Sequence, residues 1–249
     1  FSYLVLLISY NVFIPYIKKL ENDFSNDDDL CDAIKTLCEK EVADTLITPL
    51  QPDLVGEYNF IYEMQCIRSA KKKKELLKTF LSKNYIDYFC TFMERCYADW
   101  YNEEYLLQLT DMIINIIIEM NDEIIAFQYS SVLFTTTYNV DDYMVNLSYV
   151  EKIDRFLKKY QTEFIALAYA QSLVNVSAKT NNYNERLEQA DKIEALLQEY
   201  KIPEIALEYA MALVNVSNKA DNYNKSLEQA NKIKALLKEY ETPEIALEY

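Results

Sequence analysis

Residues Glu204–Pro243 read EIALEYAMALVNVSNKADNYNKSLEQANKIKALLKEYETP, and residues Phe164–Pro203, immediately before them, read FIALAYAQSLVNVSAKTNNYNERLEQADKIEALLQEYKIP. The two stretches are identical at 26 of 40 positions without a gap. Self-similarity at a fixed period of this length marks an array of stacked supersecondary units. A further copy opens at Glu244 and stops at Tyr249, so the chain reads as an excerpt of a longer protein.

Within Glu204–Pro243, Ile205, Tyr209, Ala212, Leu213 and Val216 recur at helical spacing, and Leu207, Ala210, Met211 and Val214 form a second apolar face. A helix apolar on two sides packs on two sides, so this A helix is the inner one of its pair. The run Asn218–Asn222 breaks the pattern, because Asn and Asp side chains bond nearby backbone and favour turns and caps. A B helix then starts near Asn222–Tyr223, with Leu227, Ala230, Ile233, Leu236, Leu237 and Tyr240 on one face and charged residues on the other. Pro243 suits the first turn of the next helix. One such pair cannot cover both apolar faces of its A helix; a stack of pairs can.

The 40-residue register runs backwards from these copies. Ile205 and Tyr209 match Ile165 and Tyr169, then Ile125 and Tyr129. Leu237 and Tyr240 match Leu197 and Tyr200, Leu157 and Tyr160, Ile117 and Met120, then Leu77 and Phe80. The expected organisation is therefore a divergent helical N-terminal region or cap over residues 1–83, followed by tandem hairpins over 84–249: 84–123, 124–163, 164–203, 204–243 and a partial copy, 244–249.

Composition agrees with an all-α chain. Gly56 is the single glycine among 249 residues, too few for the tight turns of a β or mixed fold. Residues 1–17 carry no charge, but they lack a basic n-region, include Asn11 and Pro15, and are short for a span. They read as a core helix, with Leu4, Leu7, Ile8 and Val12 packing on residues 30–66, and a membrane contact is not expected. Further helices are expected over about 30–47 and 52–69.

The chemistry open to the chain is narrow. It has no histidine, which removes His-activated nucleophiles and His-ligated metals, and one glycine forms no phosphate-cradling loop. No cofactor is expected. Cys31, Cys38, Cys66, Cys90 and Cys96 form no C-x-x-C motif and read as small buried hydrophobes in a reducing cytoplasm. Lys71–Lys74 reads as a solvated helix segment, and the cluster of Tyr97, Trp100, Tyr101 and Tyr105 as core. Asn-x-Ser tripeptides include those at Asn146, Asn175 and Asn215; the last two of these fall within A helices and read as chance matches to the glycosylation signal or as polar groups of a groove. The net charge of −15 repels nucleic acid and favours partners with basic segments.

The tract Asp221–Ser226, the pattern of Tyr209, Ala212 and Leu213, and Pro243 together resemble the tetratricopeptide repeat family, over roughly residues 84–249. The period of 40 instead of about 34, Leu213 in place of a small glycine, and the lack of an opening Trp are departures. The resemblance implies a right-handed α-solenoid of antiparallel helix-turn-helix repeats whose A helices line a concave peptide-binding groove. The groove residues expected on that basis are Leu167, Gln171, Val174, Asn175 and Ala178 in one repeat and Leu207, Met211, Val214, Asn215 and Asn218 in the next. The function expected is a non-catalytic protein- or peptide-binding scaffold, with self-association through the open C-terminal repeat as a further contact. A structural or surface-displayed array, or an enzyme using carboxylates, are the alternatives.

Overall fold

The computed structural model describes residues 53–240 and 243–248. The expectations for Leu4, Leu7, Ile8 and Val12, for a helix over 30–47, and for Cys31 and Cys38 lie outside the described residues. Every described element is an α-helix, and no strand occurs among the described residues. The chain divides into two compact units, Phe1–Asn121 and Asp122–Tyr249.

The first unit contains α1 (Asp53–Cys66), α2 (Ala70–Phe80), α3 (Ile86–Trp100) and α4 (Glu104–Met120). Helix α1 packs on α3 and α4, and α2 packs on α4. Phe60 meets Phe92 edge-on at 5.1 Å, and Phe80 stacks on Phe89 at 5.9 Å. The Tyr97 hydroxyl pairs with Thr110 Oγ1 at 2.8 Å inside the core, tying α3 to α4. The lysine run is not purely solvated. Lys73 Nζ donates to Tyr105 Oη at 2.8 Å, and Lys74 pairs with Glu119, so two of the four lysines fasten α2 to α4.

The second unit contains α5 (Glu123–Asn139), α6 (Tyr143–Tyr160), α7 (Glu163–Lys179), α8 (Tyr183–Tyr200), α9 (Pro203–Ser217), α10 (Tyr223–Tyr240) and α11 (Pro243–Glu248). The A helices α5, α7, α9 and α11 begin at 123, 163, 203 and 243, and the B helices begin at Tyr143, Tyr183 and Tyr223. Both series keep the 40-residue step expected from the sequence. Successive helices are antiparallel, each A helix packs on the next A helix, and each B helix packs on the A helices before and after it.

Local chemistry sets these boundaries. Asp142, Thr162, Asn182 and Asn222 each accept a backbone N–H from the first turn of the helix they precede, as Asp122 does for α5. Such a cap contributes about 1 kcal/mol over alanine. Helix α9 lacks a capping side chain and starts on Pro203 instead. Each A helix then buries an isoleucine at one repeated position, Ile125, Ile165, Ile205 and Ile245, none more than 1% exposed. Each burial contributes roughly 1.5–3 kcal/mol. Ala126, Ala166 and Ala206 follow, fully buried, and their small side chains allow adjacent A helices to approach closely.

Helices α4, α6 and α8 each end on a left-handed residue. Asn121, Gln161 and Lys201 have φ of 54°, 52° and 53°, again 40 residues apart, and none is glycine. Left-handed geometry costs a residue with a Cβ roughly 1–2 kcal/mol. Gln161→Gly and Lys201→Gly are therefore expected to raise stability by roughly 0.5–1 kcal/mol each, read from urea unfolding midpoints, whereas valine at either site is expected to lower it.

Candidate functional site

The A helices of the second unit present a face that the B helices do not cover. Ile124 is 61% exposed and Phe164 65%, and the rings of Phe127 and Phe164 lie 5.4 Å apart across α5 and α7. Further along this face, Leu167, Gln171 and Asn175 on α7 and Leu207, Met211, Val214 and Asn215 on α9 are half-buried. Val174 is buried, and Ala178 and Asn218 are exposed at the helix ends. Positions 127, 167 and 207 carry Phe, Leu and Leu, and positions 134, 174 and 214 carry Phe, Val and Val, so the apolar character repeats from helix to helix.

The two asparagines on this face do more than line it. Asn215 Nδ2 donates to Ser177 Oγ at 2.9 Å and to Val174 O at 3.4 Å, both on the preceding A helix. Asn175 Nδ2 donates to Thr137 Oγ1 at 3.2 Å, one repeat earlier. The receiving hydroxyls are themselves fixed, Ser177 donating to Val174 O and Thr137 to Phe134 O, both at 2.7–2.8 Å. The tripeptide Asn-Val-Ser is thus an inter-helix clip: its Asn reaches back one repeat, and the Ser of 175–177 receives the next Asn. At another Asn-x-Ser, Asn146 is fully buried and donates to Val140 O at 2.6 Å.

Two cations gather the C-terminal ends of the same helices, where unpaired carbonyls carry partial negative charge. Lys179 Nζ donates to Thr137 O at 2.7 Å and Tyr138 O at 3.0 Å, and also reaches Val140 O, all at the end of α5. Arg186, only 5% exposed, spans two helix ends, donating to Ala178 O in the last turn of α7, to Thr180 O just beyond it and to Asn215 O in α9. Sequence periodicity does not reveal Arg186, because its counterparts one repeat away are Asn146 and Ser226.

A cleft of about 480 Å³ lies between the B helices α8 and α10, lined by Glu194, Leu197, Lys232, Leu236 and Tyr240, with Tyr209 of α9 among its lining residues. The Tyr209 ring is buried, and its hydroxyl lies beside the Glu194 carboxylate without a hydrogen bond of normal geometry. Burial, then Glu194, push its pKa well up, so it is a neutral phenol at physiological pH.

Among the described residues of the first unit, the carboxylate of Glu57 is strongly perturbed. Glu57 is fully buried, and its Oε1 accepts from Arg95 Nε and Nη2, each at 2.9 Å. Burial and the neighbouring Asp99 nevertheless push its pKa up to about 7, against the pull of Arg95. A separate cleft of about 410 Å³ lies among Tyr58, Tyr62, Glu103 and Tyr105, and Glu57 does not line it. Trp100, half-buried, lies against Tyr58 at 5.2 Å. Of the described cysteines, Cys96 is buried, Cys90 half-buried and Cys66 exposed, all as free thiols. No group of three or more His, Cys, Asp and Glu among the described residues is arranged to hold a metal ion, and no described helix is long and apolar enough to cross a membrane.

Two outcomes follow from this geometry. Asn215→Ala is expected to cost about 1 kcal/mol in urea unfolding, and a double-mutant cycle with Ser177→Ala is expected to return a coupling of similar size; additivity would show that the clip carries no energy. Glu57 has a folded pKa above its unfolded value of about 4.5, so the folded state binds more protons between the two values. Its contribution is expected to weaken stability as pH rises from about 4.5 to 7, and the Glu57→Gln variant should lose that slope in unfolding midpoints measured across the window.

No protein-family model matches the chain, and neither a curated protein nor a solved structure matches it.

Proposed function

We propose that this chain is a non-catalytic scaffold that binds a protein or peptide segment, built from tetratricopeptide-like hairpins wound as a right-handed solenoid. The observation that carries the reading is the uncovered A-helix face. It repeats in phase over α5, α7 and α9, is apolar at Phe127, Leu167, Leu207 and Met211, and stands in a chain of net charge −15. Scattered apolar residues on a surface need no explanation, but a contiguous stripe across parallel helices is the usual footprint of a docked segment. The charge favours partners carrying basic residues and disfavours nucleic acid.

The departures from the family pattern have a local rationale. Leu213 stands where tetratricopeptide repeats carry a small residue, and it is fully buried. Ala206, Ala210 and Ala212, also fully buried, provide the close approach elsewhere on α9. The Asn-to-hydroxyl clips narrow the chemistry of the face. Because the amide donors of Asn175 and Asn215 are engaged within the protein, affinity comes from apolar contacts more than from Asn bonds to a ligand backbone.

The test is panning of a displayed peptide library on the chain and on a Leu207→Asp/Met211→Asp double variant. Both positions are half-buried, so helix content and unfolding midpoint serve as the control. Enrichment on the parent that is lost on the folded variant is expected. Binders that ignore the variant, or no enrichment at all, would overturn the reading.

A further inference from the structure

Glu208 sits on the α7-facing side of α9 with only 9% of its surface exposed. The clip fixes which residues lie opposite. Asn215 bonds residues 38 and 41 positions back, so the same offsets set Glu208 across from Leu167–Ala170, one residue short of Gln171. Gln171 is its hydrogen-bonding neighbour. The position is alanine one repeat earlier, where Ala168 is 5% exposed and packed. The seam between these two A helices therefore carries a carboxylate where the preceding repeat carries a methyl group.

No described cation pairs with this carboxylate. The charged residues of α9 are Glu204 and Glu208 alone, and α11 contributes only glutamates. On α7 the single cation is Lys179, whose ammonium is occupied by three carbonyls at the end of α5. Burial raises the pKa of Glu208, the Gln171 hydrogen bond opposes the rise, and no positive charge contributes. A buried carboxylate without a cation is costly, and the preceding repeat closes the same place in its A helix with an alanine. Around it stand Leu167, Leu207 and Met211, half-buried on the same uncovered face.

We propose that the α7–α9 seam at Glu208 is a recognition site for one cationic side chain of a protein or peptide partner, an arginine before a lysine, flanked in that partner by apolar residues. The proposal rests on the docking face described above and assigns its charge specificity. The guanidinium is preferred because its planar fork can pair with the carboxylate and donate to the Gln171 side-chain oxygen at once, whereas an ammonium is a more strongly hydrated point charge. The acidic chain attracts basic segments in general, and Glu208 selects the residue that enters the seam.

The experiment uses peptides enriched by panning on the whole chain, resynthesised with a fluorescent label and titrated by anisotropy. Each is paired with an analogue in which arginine is replaced by neutral citrulline. Glu208→Ala installs the residue that the preceding repeat carries at this place, so the variant is expected to fold, and its melting curve confirms it. Enriched peptides are expected to carry an Arg or Lys between apolar residues. They should bind the variant about tenfold or more weakly, and the citrulline analogue should lose as much on the parent and nothing further on the variant. Peptides without a basic residue, or equal affinity for parent and Glu208→Ala, would overturn the site. If those peptides still lose binding on the Leu207→Asp/Met211→Asp variant, the docking face stands without it. No enrichment on the parent would overturn both.

Discussion

The second unit depends on how one A helix is held against the next. Interhelical packing alone leaves the sliding coordinate soft, because a face of Ile, Ala, Leu and Val offers similar contacts at neighbouring offsets. A hydrogen bond with a fixed donor and a fixed acceptor removes that freedom. The clip from Asn175 to Thr137 and from Asn215 to Ser177 joins residues 38 apart in both seams, with hydroxyls already anchored to their own helices. Buried polar pairs contribute modestly to net stability but penalise the wrong register heavily, because a misplaced helix leaves them unsatisfied. Lys179 and Arg186 add charge-assisted bonds at the same helix ends, so the stack is pinned at one end and packed by apolar residues along its length.

Much of this was legible in the sequence. The starts of α6, α8 and α10 at Tyr143, Tyr183 and Tyr223 follow from turn residues that recur at the same place in each copy. Helix α2 ends at Phe80 and α4 at Met120, in phase with the B-helix ends at 160, 200 and 240, so the register of helix ends persists into the first unit. What the sequence hid was connectivity. Periodicity assigns Asn175 and Asn215 to a face but says nothing about which donor meets which acceptor, and their amides turn out to point along the array. Arg186 and Glu208 were hidden for the opposite reason. Each departs from the repeat, and a reading based on recurrence passes over positions that occur once. The left-handed corners at Gln161 and Lys201 escaped because glycine, their usual marker, is absent.

The two units differ in how they use polar groups. In the second, buried polar side chains mostly serve backbone carbonyls and neighbouring helices. In the first, Glu57 and Arg95 face each other in the interior, with Asp99 beside them, and the acid is held near half-titration at neutral pH. Such a pair is weak evidence for stability, since the cost of removing both charges from water offsets much of their attraction. It makes the α1–α3 contact the more pH-sensitive of the contacts described.

Because each clip reaches back by one repeat and no further, the seams are serial. Load applied along the chain passes through them one after another, and the opening of one seam releases a hairpin without breaking the clip of its neighbour. Under load the array is therefore expected to yield hairpin by hairpin, each released unit of 40 residues spanning at most about 140 Å when fully extended.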